Sequence, residues 1–119
     1  MRMEQKFAQQ LKKGVLDMVV LRLVCEEDTY GYGLLQKLEQ RGGGFFDLKE
    51  GTLYPVLYRL EDAGLIRSAW QAAEGKRAAP KKYYSATEAG REAYREYRGV
   101  WQKFCACVEG LCAEGEEEV

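Results

Sequence analysis

The sequence predicts a mainly α fold with a small β-ribbon, in the order helix, helix, helix, hairpin, long helix. Three observations carry this. Apolar residues recur at helical spacing in four separate stretches. Only between residues 65 and 85 does the pattern change, to β-branched, aromatic and polar residues on either side of a loop holding Gly75 and Pro80. The composition, 46% hydrophobic and 31% charged with two prolines in 119 residues, suits one helix-rich domain, small enough that a partner would add useful burial.

From Leu11 to Val24 apolar residues surround most of a helical wheel and leave Lys12, Lys13, Asp17 and Arg22 as the polar positions, so this helix should be buried on more than one side. A second helix is expected from about Tyr30 to Arg41, with Leu34, Leu35 and Leu38 inward, ended by Gly42, Gly43 and Gly44. The third lies between Lys49 and Ala63. Its core stripe is Leu53, Val56, Leu57 and Leu60, and Pro55, lacking an amide hydrogen, belongs near its start. Leu65 to Gln71 and Lys81 to Ser85 form the ribbon. A capping box from Ser85 to Glu88, with Thr87 as a competing cap, opens a final helix to about Leu111. Three helices followed by a hairpin make a winged helix-turn-helix, with the helix after residue 86 left over as a C-terminal dimerisation helix. The expected division is residues 1–86, 87–113 and an acidic tail, 114–119.

The net charge of −1 conceals an asymmetry: residues 109–119 hold five glutamates and no base, leaving 18 basic against 14 acidic residues elsewhere. No stretch reaches the roughly 20 apolar residues that span a bilayer, since Val15 to Val24 is broken by Asp17 and Arg22. Met1 to Leu11 lacks the apolar core and cleavage site of a secretory signal, so the expected location is cytoplasmic, with no membrane partner. Cys25, Cys105, Cys107 and Cys112 are then expected as reduced thiols, read as small buried hydrophobes with intersubunit or regulatory thiol chemistry as the alternative. Cys107 points about 200° away from Cys105 on one helix, so the cluster cannot close a chelate, and no metal site is expected. With no histidine, no glycine-rich phosphate loop after a strand and no placed carboxylate pair, neither an enzyme nor a cofactor is expected.

Four blocks, Leu11-Lys-Lys-Gly-Val-Leu-Asp-Met, Tyr30-Gly-Tyr, Gly51-Thr-Leu-Tyr-Pro-Val-Leu-Tyr-Arg-Leu-Glu-Asp-Ala-Gly-Leu-Ile and Lys82-Tyr-Tyr-Ser-Ala-Thr-Glu-Ala-Gly-Arg, stand in this order. Together they closely resemble the PadR family of transcriptional regulators over roughly residues 10–112. The single C-terminal helix is similar to the smaller PadR subgroup, and the resemblance implies a dimeric regulator, commonly a repressor, in some members responsive to aromatic compounds. The segment Gly75-Lys-Arg-Ala-Ala-Pro-Lys-Lys-Tyr-Tyr departs from the shorter, more arginine-rich wing usual there, and the cysteine cluster and glutamate tail lie outside the pattern.

The candidate partner is double-stranded DNA. Gly51, Thr52, Tyr54, Pro55, Tyr58 and Arg59 fall on the exposed face of the third helix, where hydroxyls and a guanidinium can bond phosphates or base edges. Lys76, Arg77, Lys81 and Lys82 on the wing can neutralise phosphates, with Lys12, Lys13 and Lys49 as further contacts. Tyr94, Tyr97, Trp101, Phe104, Val108 and Leu111 follow alternating spacings of three and four, a coiled-coil-like seam for a homodimer. Two subunits would present two recognition helices to half-sites roughly 34 Å apart, hence a palindromic operator. Trp101 carries two readings: interface packing, or, as the resemblance implies, one wall of a site for a flat aromatic effector, with Val15, Met18 and Phe104 beside it. The rival to the whole reading is a winged-helix module that binds only protein.

Overall fold

Leu16, Val20, Leu21, Leu23 and Val24 draw the first helix, α1 (Met3–Glu26), into the centre of the molecule, where it meets α2 (Gly31–Arg41), α3 (Glu50–Asp62), β3 (Lys81–Ala86) and α4 (Glu88–Ala113). The burial on several sides that the wheel predicts is present. Leu34 and Leu38 of α2, the stripe Leu53, Val56, Leu57 and Leu60 of α3, and Ile66, Tyr84 and Ala86 of the sheet complete the core. The structure is a computed structural model that describes residues 2–72, 75, 78–113 and 115.

Three boundaries differ from expectation. Helix α1 begins at Met3 and not near Leu11, because Glu4, Gln5, Lys6 and Ala8 are good helix formers although residues 3–10 bury nothing in the core. Pro55 is the sixth residue of α3, well past its first turn; the helix continues through it, without the hydrogen bond that the Gly51 carbonyl would otherwise accept. The ribbon is three-stranded. A two-residue strand, β1 (Thr29–Tyr30), pairs with β3 at Thr29–Tyr84 and Tyr30–Tyr83, and β3 also pairs with β2 (Ile66–Gln71), giving the antiparallel order β1-β3-β2. Two residues are too few for alternation to reveal a strand.

The glycine stop after α2 is as expected: Gly42 is the C-cap and donates to the Leu38 carbonyl, and Gly43 and Gly44 take φ of 61° and 88°. At α4 the competing cap prevails. Ser85 lies within β3, while the Thr87 hydroxyl accepts the Gly90 amide at 3.0 Å and donates to the Gly64 carbonyl at 2.7 Å. The Thr87 amide donates to the Leu65 carbonyl, so the start of α4 is fastened to the α3–β2 turn. Gly90 is buried against that same carbonyl, which a side chain there would overlap.

Tyr84, in the middle strand, is fully buried, and its phenol is pushed up to about 12 from 10.0, chiefly by burial. A folded pKa above the unfolded one means that this contribution to stability is complete below pH 10 and is lost as pH rises through about 12. Phenolate absorbance during alkaline titration should therefore show one tyrosine ionising last, together with unfolding. Tyr84→Phe should remove that late step.

Candidate nucleic-acid interface and interhelical groove

The amphipathic split of α3 decides what it can present. Four aliphatic side chains anchor one side in the core, and Gly51, Thr52, Pro55, Tyr58 and Arg59 are exposed on the rest. No side chain caps its start, where Lys49 is the N-cap and its carbonyl accepts from Thr52 and Leu53. The first-turn amides thus lie between Lys49, which favours an anion at that end, and the exposed Glu50, which opposes one.

Two residues of the expected face behave differently. Tyr54 is half-buried against the core: its ring lies where Gly31 has no side chain, and a Cβ at Gly31 would meet the Tyr54 ring carbon Cζ at 2.8 Å. A 3.6-residue wheel cannot reveal this, because the neighbour that admits the ring is a glycine on another helix. Arg59 is bonded to Asp17 of α1 at 2.7 Å, a hydrogen bond that raises its pKa. Of the wing bases, Lys81 is exposed and Lys82 half-exposed; Lys76 and Arg77 lie outside the described residues. Lys12 is half-buried on α1, and Lys13 faces the groove described below.

Between α3 and the wing runs a cleft of about 620 Å³ walled by Tyr30, Tyr32, Tyr54, Tyr58 and Trp70, with Lys81 and Lys82 on its rim and Glu50 as its one acid among the described residues. The Lys81 ammonium sits 4.3 Å from the Tyr30 ring centre, which itself packs on Tyr83 at 5.4 Å. Tyr30, Tyr32 and Trp70 line this cleft beyond the residues expected from the sequence. For Trp70 the signal was present: it lies two and four residues beyond Ser68 and Ile66, on the same strand face.

A second groove, of about 780 Å³, opens between α1 and α4 and brings together Val15, Met18, Trp101 and Phe104, the four residues expected to adjoin one another. Leu11, Tyr97 and Val100 extend its apolar wall, and Asp17 and Arg59 form its polar edge. Along the expected seam, Tyr97, Trp101, Phe104, Val108 and Leu111 are exposed. Tyr94 is the exception, half-buried against the core with the Arg22 guanidinium 5.5 Å from its ring centre. The α1–α4 contact is further held by Arg91, which donates to the Cys25 carbonyl at 3.0 Å.

The expectation that all four cysteines are buried hydrophobes fails on the single chain. Cys25 fits, half-buried with its thiol pushed up by burial, but Cys107 and Cys112 are exposed because α4 projects beyond the body. Among the described residues no group of three or more His, Cys, Asp or Glu side chains is placed to hold a metal ion, and no helix is long and apolar enough to cross a membrane.

A family model for the transcriptional regulator PadR-like family matches residues 20–96. The crystal structure of a PadR family transcriptional regulator from Eggerthella lenta is similar with a TM-score of 0.80 at 33% identity, covering 92% of this chain and 91% of that one. The transcriptional regulator Rv3488 of Mycobacterium tuberculosis is 30% identical over 101 residues, 85% of this chain and 89% of that protein. Bacillus subtilis PadR, solved in complex with operator DNA, is similar at 26% identity and a TM-score of 0.62, over 70% of this chain and 46% of that one.

Proposed function

The chain belongs to the PadR-like family of transcriptional regulators, and from that premise we propose that it is a homodimeric repressor that binds a palindromic operator and is released by an aromatic effector. The observation that carries the DNA reading is the shared exposure of α3 and the wing. Gly51, Thr52, Pro55 and Tyr58, with Lys49 at the helix start and Lys81 and Lys82 across the cleft, combine base-edge and phosphate chemistry on one surface. The similar Bacillus subtilis PadR binds operator DNA. Tyr54 supports the reading indirectly, by holding α3 against Gly31, and Lys76 and Arg77 add charge to the same hairpin.

The dimer reading rests on the exposed apolar face of α4 within residues 87–113, which a second copy would cover. The groove of Val15, Met18, Trp101 and Phe104 adjoins that face, so a flat apolar molecule bound there would lie at the junction of subunits. Such a molecule releases DNA only if it binds better to a dimer whose two α3 helices are wrongly spaced for the operator.

Fluorescence anisotropy on a duplex from the chain's own upstream DNA, at two salt concentrations and against a scrambled duplex, tests the reading. The expected result is selective binding that weakens by at least an order of magnitude between about 50 and 200 mM salt. Absence of binding to any duplex at low salt would instead make the α3 surface a protein-interaction face.

A further inference from the structure

The inner face of the wing changes character along its length. At its base, the paired residues Ile66 and Ala86 are buried in the core. At the next pair on that face, Tyr84 is buried and Ser68 donates to Glu61 of α3 at 2.5 Å. One pair further out the face continues as Trp70 and Lys82, beyond the reach of the core, and Trp70 is 69% exposed. A tryptophan on the inward face of a strand normally finds a cover within its own chain. Here the facing surface across the cleft is the Glu50–Tyr54–Tyr58 side of α3, with Tyr58 54% exposed on it.

The cleft therefore has an open aromatic wall on the wing, a phenol on the opposite wall, and lysines on its rim. An indole beside an ammonium complements a strand of nucleic acid: the ring face covers the C–H surface of a deoxyribose, and the indole N–H and the lysine donate to the flanking phosphates. A purely apolar partner would leave Lys81 and Lys82 unpaired at the contact, and an acidic polypeptide would use the lysines but not the tyrosine-lined depth. Glu50, at the α3 end, opposes a phosphate, which makes the apolar contact at Trp70 more important to binding.

We propose that Trp70 is a DNA-contacting residue, its indole packing on one strand's sugar–phosphate backbone where that strand passes between α3 and the wing. The proposal rests on the DNA-binding reading above and adds to it a contact by an uncharged side chain, independent of sequence and insensitive to salt. Trp70 supplies adhesion, and the α3 face supplies discrimination.

The test measures affinity of wild type, Trp70→Ala, Trp70→Phe and Lys82→Ala for the upstream duplex and its scrambled counterpart over a salt series. Trp70→Ala should weaken both duplexes about tenfold, with the slope of log affinity against log salt unchanged; Trp70→Phe should recover part of the loss. Lys82→Ala should instead reduce that slope by about one. Circular dichroism checks that the variants fold, and a second readout needs no alanine variant: DNA should change tryptophan emission in wild type and much less in Trp70→Phe. Wild-type affinity in Trp70→Ala, a slope change matching Lys82→Ala, or an equal emission change in Trp70→Phe would each overturn the proposal while leaving the DNA reading standing. Failure of wild type to bind any duplex would overturn both.

Discussion

Gly90→Ala is expected to lower the thermal unfolding midpoint by about 10 °C. The methyl would overlap the Leu65 carbonyl oxygen and lie 2.9 Å from the carbonyl carbon. Both are backbone atoms, so no rotamer change relieves the clash. The Leu65 carbonyl is also the acceptor for the Thr87 amide, and the adjacent Gly64 carbonyl is the acceptor for the Thr87 hydroxyl. The start of α4 must therefore lift from the α3–β2 turn, losing two hydrogen bonds and the contact that sets the direction of the helix. Overpacking and lost capping together cost about 3 kcal/mol. Gly99→Ala is the matched control: it adds the same methyl to the same helix where nothing lies within 4 Å, and should stabilise the chain by up to about 1 kcal/mol. Differential scanning calorimetry of the two variants measures both signs. Equal midpoints would mean that α4 is not fastened at its start.

Phe104→Asp should leave each chain folded and yet remove operator binding. The side chain is 55% exposed, so the single chain loses little. In the proposed dimer the same position lies in the middle of the seam, where two carboxylates would be forced into an apolar interface. Sedimentation should then show a monomer with native circular dichroism. A monomer engages one half-site, so affinity for a palindromic duplex should fall by about a hundredfold or more, while the weak affinity for scrambled DNA stays nearly constant. A variant that remains dimeric would exclude this face of α4 as the seam.

The parts of the fold that the sequence made legible are those that a single period determines. The α3 stripe from Leu53 to Leu60, the glycine stop at Gly42 to Gly44 and the strand change after Gly64 each follow from local pattern, and each stands in the structure. What escaped was set by neighbours distant in sequence. Tyr54 reads as an exposed phenol until Gly31 is brought beside it, and Arg59 reads as a free base until Asp17, 42 residues away, pairs with it. Strand β1 exists because β3 pairs with it, and its two residues carry no period of their own. Cys107 and Cys112 failed for the opposite reason: their hydrophobicity predicted cover that the single chain does not supply. The adjacency of Val15, Met18, Trp101 and Phe104 was expected from the likeness to PadR relatives and from no local pattern, and the four line one groove.

The bond between Arg59 and Asp17 joins two places that would otherwise be independent. Both ends stand on the edge of the groove proposed to take an effector, and the Arg59 end also belongs to the helix proposed to read DNA. A phosphate competing for the guanidinium would free the carboxylate at the groove, and a cationic ligand competing for the carboxylate would free the guanidinium at the DNA surface. Occupancy at either place would be felt at the other by the same factor, as thermodynamic linkage requires. On this reading, the charge of a bound molecule decides the sign of the response: a cation that claims Asp17 supplies DNA with one more unpaired positive charge, whereas a neutral ligand can act only through the geometry of the dimer.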